Sequence, residues 1–199
     1  MEKALITPDK LQEIFARKNY SFFINDRKDY NINIVGVRSA DMTPDVFNDY
    51  ISVCWKYLGR WYSHIYECTT DPGLYYMNNP MNCKGTAILV PGQYNGAYMV
   101  GIHKTYEALR QKKPMKYWRD NNRDNRYDMS GKIYEEIGYT DIHRANDKKK
   151  SYVIGKWSAG CQVISDSRDF SEFMSICKKS AAIYGNSFTY TLLTEADFK

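Results

Sequence analysis

Apolar positions recur along this 199-residue chain with two different periods, and the change of period marks its elements. Near the start, Leu11, Ile14 and Phe15 form one stripe at helical spacing behind Thr7-Pro8-Asp9, where Thr7 can cap and Pro8 suits the first helical position. The period then shortens to two. Residues 31–37 alternate, and 51–57 and 60–70 flank Leu58-Gly59 as the arms of a hairpin. Ile51, Val53, Trp55 and Tyr57 share one face of the first arm. Residues 70–84 read as a loop rich in Asn and Pro, and 86–90 and 97–103 as strands on either side of Pro91-Gly92. Residues 105–111 read as one or two helical turns, 115–119 as a strand, 120–128 as a polar loop and 139–144 as a strand. Helical spacing returns at Phe170, Phe173, Met174, Cys177 and Ala181, with Asp166 or Ser167 as caps and Gly185 at the C-terminal end. A final strand covers 188–194.

The sum is an α+β, β-rich single domain with helices near both ends. Residues 1–30 are expected to form a helical segment packed on a domain spanning 31–199. The length allows one sizeable core and would cramp a second. With 43% hydrophobic and 26% charged residues the chain has a folded composition, so disorder is excluded. A net charge of +5 suits an acidic polymer or surface, but no nucleic-acid motif accompanies it and no nucleic-acid partner is expected. No run approaches the roughly 18 apolar residues of a membrane span, and the opening lacks the apolar run of a signal peptide. The expectation is synthesis in the cytoplasm, with any action outside following release or delivery. Cys54, Cys68, Cys83, Cys161 and Cys177 form no metal spacing, and their odd number fits free thiols better than a disulfide framework.

The informative stretch is DIHRANDKKKSYVIGKWSAGCQVI, residues 141–164. A free thiol has a pKa of about 8.5 and is a poor nucleophile until a neighbour takes its proton. His143 can take that proton and later return it to a leaving amine. Ser158-Ala159-Gly160-Cys161 has the small residues of a tight turn, which exposes the sulfur and aims backbone N–H groups at a developing oxyanion. If His143 lies against Cys161, the two should titrate as a coupled pair, with the thiol pKa lowered and the imidazole pKa raised.

This stretch resembles the catalytic core of the YkuD-type L,D-transpeptidases, which carry a His, fourteen to seventeen residues, then Ser/Thr-His-Gly-Cys. Here fourteen residues separate His143 from Ser158. Ile142 precedes the His, Asn146-Asp147 follows it, and Ile154-Gly155 precedes the Ser. The likeness is specific over about 138–164, loose over about 66–194, and silent on 1–40. Lys84-Gly85-Thr86 is faintly similar to the family's Thr-Pro-x-Gly-Thr segment. The chain is also similar to phage and prophage proteins with the same Trp-Ser-Ala-Gly-Cys-Gln core.

The resemblance implies a mixed-sheet or sandwich catalytic domain and a cysteine-dependent transferase or hydrolase acting on peptidoglycan stem peptides of the cell wall. Cys161 would be the nucleophile and His143 the base. The backbone carbonyl of Arg144 would orient the imidazole, and N–H groups around Gly160 and Cys161 would form the oxyanion hole. No cofactor or metal is implied for catalysis. Three departures stand out: Ala159 replaces the family's second His, Val163 stands where Arg or Asn is usual, and Arg144 replaces a small residue. Two other readings stay open, a non-catalytic wall-binding or virion protein that kept the fold, and a cysteine hydrolase of a cytoplasmic peptide.

Other residues have plainer readings. Ser158 suits holding the turn, and His64 alternates within a strand. His103 in Gly-Ile-His-Lys could line the cleft or be structural. Asp120, Asn122, Asp124 and Asp128 have the oxygen-ligand spacing of a calcium loop. That loop has Asn125 where glycine is expected and no terminal Glu, so a solvated acidic loop is the simpler account. The aromatic content belongs mostly to core and sheet, though some rings have the chemistry to stack on sugars.

Overall fold

The computed structural model describes residues 2–25 and 27–199. The first helix, α1 (Pro8–Arg17), starts where the sequence places it: the Thr7 side chain accepts a hydrogen bond from the Lys10 N–H at 3.2 Å. Its buried residues are Leu11, Ile14 and Phe15. They pack with Val35, Val37, Cys54 and Leu193 on one face of the main sheet.

That sheet closes on itself. Its strands are β1 (Asn33–Arg38), β2 (Asp49–Tyr57), β3 (Arg60–Thr69), β5 (Gly92–His103), β6 (Tyr106–Gln111), β9 (Ile142–Arg144), β10 (Gln162–Ile164) and β11 (Phe188–Thr194). They run β1-β11-β5-β6-β9-β10-β3-β2 around a barrel. The pairs β1–β11 and β9–β10 are parallel and the other neighbours antiparallel. A small second sheet joins β4 (Thr86–Leu89), β7 (Met115–Asp120) and β8 (Tyr134–Glu136). The β-rich α+β class expected from the sequence therefore holds, and its main sheet, mixed in strand direction, closes into a barrel.

Every residue of β1 is buried, because α1 covers one face and the barrel core the other. The long helix α3 (Ser167–Tyr184) begins at Asp166, whose side chain accepts from the Arg168 N–H, and ends at Gly185. Phe170, Phe173, Met174, Ile176 and Cys177 join a core with Ile51, Val53, Trp55, Tyr98, Tyr190 and Leu192 from the barrel strands. Ala87, Leu89, Met115 and Tyr117 bring the small sheet into the same core. No helix among the described residues is long and apolar enough to cross a membrane.

Several local expectations need correction. Residues 106–111 are a strand, not helical turns: Ala108 and Leu109 are buried in the barrel core, and β6 pairs antiparallel with β5 over its whole length. The Asn- and Pro-rich loop contains a five-residue helix, α2 (Leu74–Asn78), anchored by buried Met77. The strands on either side of Pro91-Gly92 lie in different sheets.

A buried ionic cluster ties the barrel to the small sheet. Arg38 pairs with Asp71 at 3.0 Å and donates to the carbonyls of Leu89 and Thr70. Asp49 accepts from the Ser39 N–H and from both the N–H and hydroxyl of Thr70. A cluster this buried is costly unless each member is paired, and breaking one pair strands a charge.

Candidate active site

The site forms where β9 and β10 run side by side. Their register pairs Gln162 with Ile142 and Val163 with His143. The Gln162 N–H donates to the Asp141 carbonyl at 2.9 Å, which places the Cys161 end of one strand beside the Asp141 end of the other. Both strands are only three residues long, so side chains complete their fixation. The Tyr190 hydroxyl donates to the Gln162 amide oxygen, and the Tyr98 hydroxyl to the Thr140 carbonyl, both at 2.9 Å.

The turn into Cys161 is braced from inside. Buried Ser158 donates its hydroxyl to the Cys161 carbonyl at 2.8 Å and accepts from the Gly160 N–H at 3.1 Å. Gly160 sits at φ +116°, and a Cβ there would lie 2.5 Å from the Ala87 carbonyl oxygen. Glycine is therefore required twice, by its backbone angle and by the close approach of β4. Because the Gly160 N–H is committed to Ser158, it is not free to serve an oxyanion hole as the sequence reading has it. The Cys161 N–H makes no hydrogen bond among the described residues and is the available donor.

Cys161 is partly exposed, and its thiol donates toward the Tyr139 carbonyl at 3.8 Å. Burial pushes the thiol up to about 12, with the Asp141 charge adding to it. His143 is buried. Its Nδ1 lies 2.7 Å from the Arg144 carbonyl, an acceptor only, so Nδ1 carries the proton and Nε2 keeps its lone pair. Burial first, and then neighbouring His103, lower its pKa to about 4. At rest the thiol and the imidazole are both neutral. These directions are opposite to the lowered thiol and raised imidazole expected from the sequence, because burial disfavours the charged form of each group and Asp141 raises the thiol further.

Cys161, His143 and Ala159 line one cavity of about 440 Å³, together with His103, Lys104 and Thr140. A wider groove of about 610 Å³ between α3 and β6 reaches Arg144 but is lined by neither Cys161 nor His143. His103, ambiguous in the sequence, stands in the site: its ring stacks on His143 with centroids 4.3 Å apart and planes 16° from parallel. Its Nδ1 is 2.7 Å from Asp141 Oδ2, which also pairs with Arg110 Nε at 2.8 Å. The other Asp141 oxygen accepts from the Gln111 N–H. Sequence reasoning missed Asp141, Arg110 and Lys104. Asp141 had a signal, since alternation along Asp141-Ile142-His143 puts it on the His143 side of the strand.

The other candidate residues stand elsewhere. His64 stacks between Trp55 and Tyr66 and pairs with Glu172. Cys54, Cys68 and Cys177 are buried and Cys83 is exposed. Asp124 and Asp128 turn carboxyl oxygens onto the Arg126 and Ser130 N–H groups, and Asp120 onto that of Asp128. No group of three or more His, Cys, Asp or Glu side chains gathers as metal ligands would among the described residues. Comparison with protein families, with curated proteins and with solved structures gives no match for this chain.

Proposed function

We propose that the chain is a cysteine acyl-transfer enzyme of the L,D-transpeptidase kind, acting on peptidoglycan stem peptides. The observation that carries the reading is that Cys161 and His143 line the same cavity, with the His143 tautomer set by the Arg144 carbonyl. That tautomer leaves Nε2 as the proton acceptor. As Cys161 attacks a substrate carbonyl, His143 takes the thiol proton, so the thiolate forms only along the reaction path. The developing oxyanion is met by the Cys161 N–H. The proton then passes to the departing amine, leaving a thioester that water or an acceptor amine resolves. Peptidoglycan as substrate, and the L,D-transpeptidase fold for the barrel, rest on the motif likeness of residues 138–164.

A second reading, a wall-binding protein without turnover, is favoured by one observation: the resting thiol is held protonated and turned toward the Tyr139 carbonyl. Mass spectrometry of muropeptides incubated with wild-type and Cys161→Ser protein separates the two. Hydrolysed or cross-linked products with wild type alone support the enzyme. Unchanged muropeptides that co-sediment with both proteins support the binder.

A further inference from the structure

We propose that His103, oriented by Asp141, is a second acid–base residue of this site and serves the acyl-acceptor half of the reaction. The assignment rests on the thiol reading above and divides its proton transfers between two imidazoles.

The two rings differ in what surrounds them. His143 is buried, holds its Nδ1 proton against a neutral carbonyl, and makes no ion pair with a carboxylate among the described residues. It suits a group that accepts a proton briefly and gives it up. His103 is more open, and its Nδ1–H points at Asp141 Oδ2, 2.7 Å away. A carboxylate there fixes the tautomer, leaves Nε2 as acceptor, and stabilises the imidazolium once Nε2 is protonated. Asp141 is itself held by Arg110 and the Gln111 N–H, so its aim at His103 does not depend on substrate. The charged groups around His103 are Asp141, Arg110 and the adjacent Lys104; His143 and Tyr106 are its titratable neighbours. Ring stacking at 4.3 Å in a shared cavity puts both imidazoles within reach of one reacting centre.

In the first half-reaction the Cys161 proton goes to His143 Nε2 as the S–C bond forms, then to the leaving amine as the C–N bond breaks. In the second, water or an acceptor amine adds to the thioester carbonyl while its proton goes to His103 Nε2. The S–C bond breaks, and the departing thiolate recovers a proton from the His103 imidazolium. Nothing is oxidised or reduced, and the free thiol is restored.

The test is a quenched-flow, intact-mass time course of the full chain with a defined disaccharide-tetrapeptide. His103→Asn keeps a donor for Asp141 but removes the base; Asp141→Asn keeps the shape but removes the charge. Both should form the thioester and release it slowly, by about 100-fold or more for His103→Asn, so that acyl-enzyme accumulates. His143→Gln should fail to form the thioester, which separates the two imidazoles by the half-reaction each serves. Release from His103→Asn at the wild-type rate overturns the assignment alone. Equal slowing of acylation and release in both variants also overturns it, because it marks a structural strap between β6 and β9. Absence of any thioester on wild type overturns the thiol reading and this assignment with it.

Discussion

The β2–β3 hairpin and the β9–β10 pair are both built of neighbouring strands, yet they are held by opposite means. The hairpin strands have nine and ten residues in unbroken register. Trp55 sits opposite Tyr62 and stacks on it, with Tyr30 and His64 against the same ring. Apolar burial and ring contact suffice there. The β9–β10 strands have three residues each and are fixed by buried polar groups: Ser158, Gln162, Asp141 and Thr140. The hairpin loses stability when apolar area is removed. The site loses geometry when a single hydrogen bond or a single Cβ changes. A site built of polar bonds holds directions more tightly than one built of apolar contacts, which suits the alignment of a thiol, a base and an N–H donor.

The largest stability effect is expected in the hairpin. Trp55→Ala should cost about 3–5 kcal/mol by cavity formation, read from denaturant unfolding, while turnover per folded molecule stays close to wild type. A loss of turnover equal to that of a site variant would erase the contrast between the regions.

In the site, Gly160→Ala forces a side chain into φ +116° and against the Ala87 carbonyl. It should cost about 2–3 kcal/mol and reduce thioester formation by more than the loss of folded protein explains. Normal turnover in Gly160→Ala would show that the turn tolerates rearrangement.

His143 gives the contrast a pH dependence. Its folded pKa of about 4 lies below the ordinary value of 6.5, so the unfolded chain binds more protons between these limits. The contribution from burying a neutral ring is full above pH 6.5, declines as pH falls, and is lost by about pH 4; its full size is on the order of 3 kcal/mol. His143→Gln should flatten the stability curve in that window. An unchanged slope would place the ionisation elsewhere.

The smallest effect is Ser158→Ala, which removes the hydroxyl that bonds the Cys161 carbonyl and the Gly160 N–H. A cost of about 1–3 kcal/mol is expected, with thermal unfolding as the readout. The freed Gly160 N–H should not raise activity, because the turn loses its aim.

What the sequence made legible follows the same division. Apolar period marked α1, the β2–β3 hairpin, α3 and β11, because each buries a continuous face. Caps at Thr7 and Asp166 sharpened two of these edges. The period failed for β6, where Ala108 and Leu109 point to buried surface without naming its shape. It also failed for β10, whose three residues are too few to alternate. Barrel closure was not legible, since the parallel pairing of β1 with β11 joins residues far apart in the chain. Cys161, His143 and Ser158 stand out within residues 141–164 and the Arg144 carbonyl comes from the family resemblance, and they lie around one turn and one strand. His103 comes from the β5–β6 hairpin, and the sequence leaves it open between cleft and structural roles, while Arg110, from β6, is hidden by sequence distance. Ala159 and His103 line the same cavity, brought there from separate parts of the chain.

The central claim is that Cys161 carries the acyl group. The direct measurement is acid-quenched peptide mapping of wild-type protein mixed with a disaccharide-tetrapeptide. A thioester mass on the peptide containing Cys161, absent from Cys161→Ala, with turnover in that variant lower by far more than tenfold, is the expected result. An acyl mass on another residue, or turnover by Cys161→Ala within about tenfold of wild type, a barrier difference of only ~1.4 kcal/mol, would contradict it.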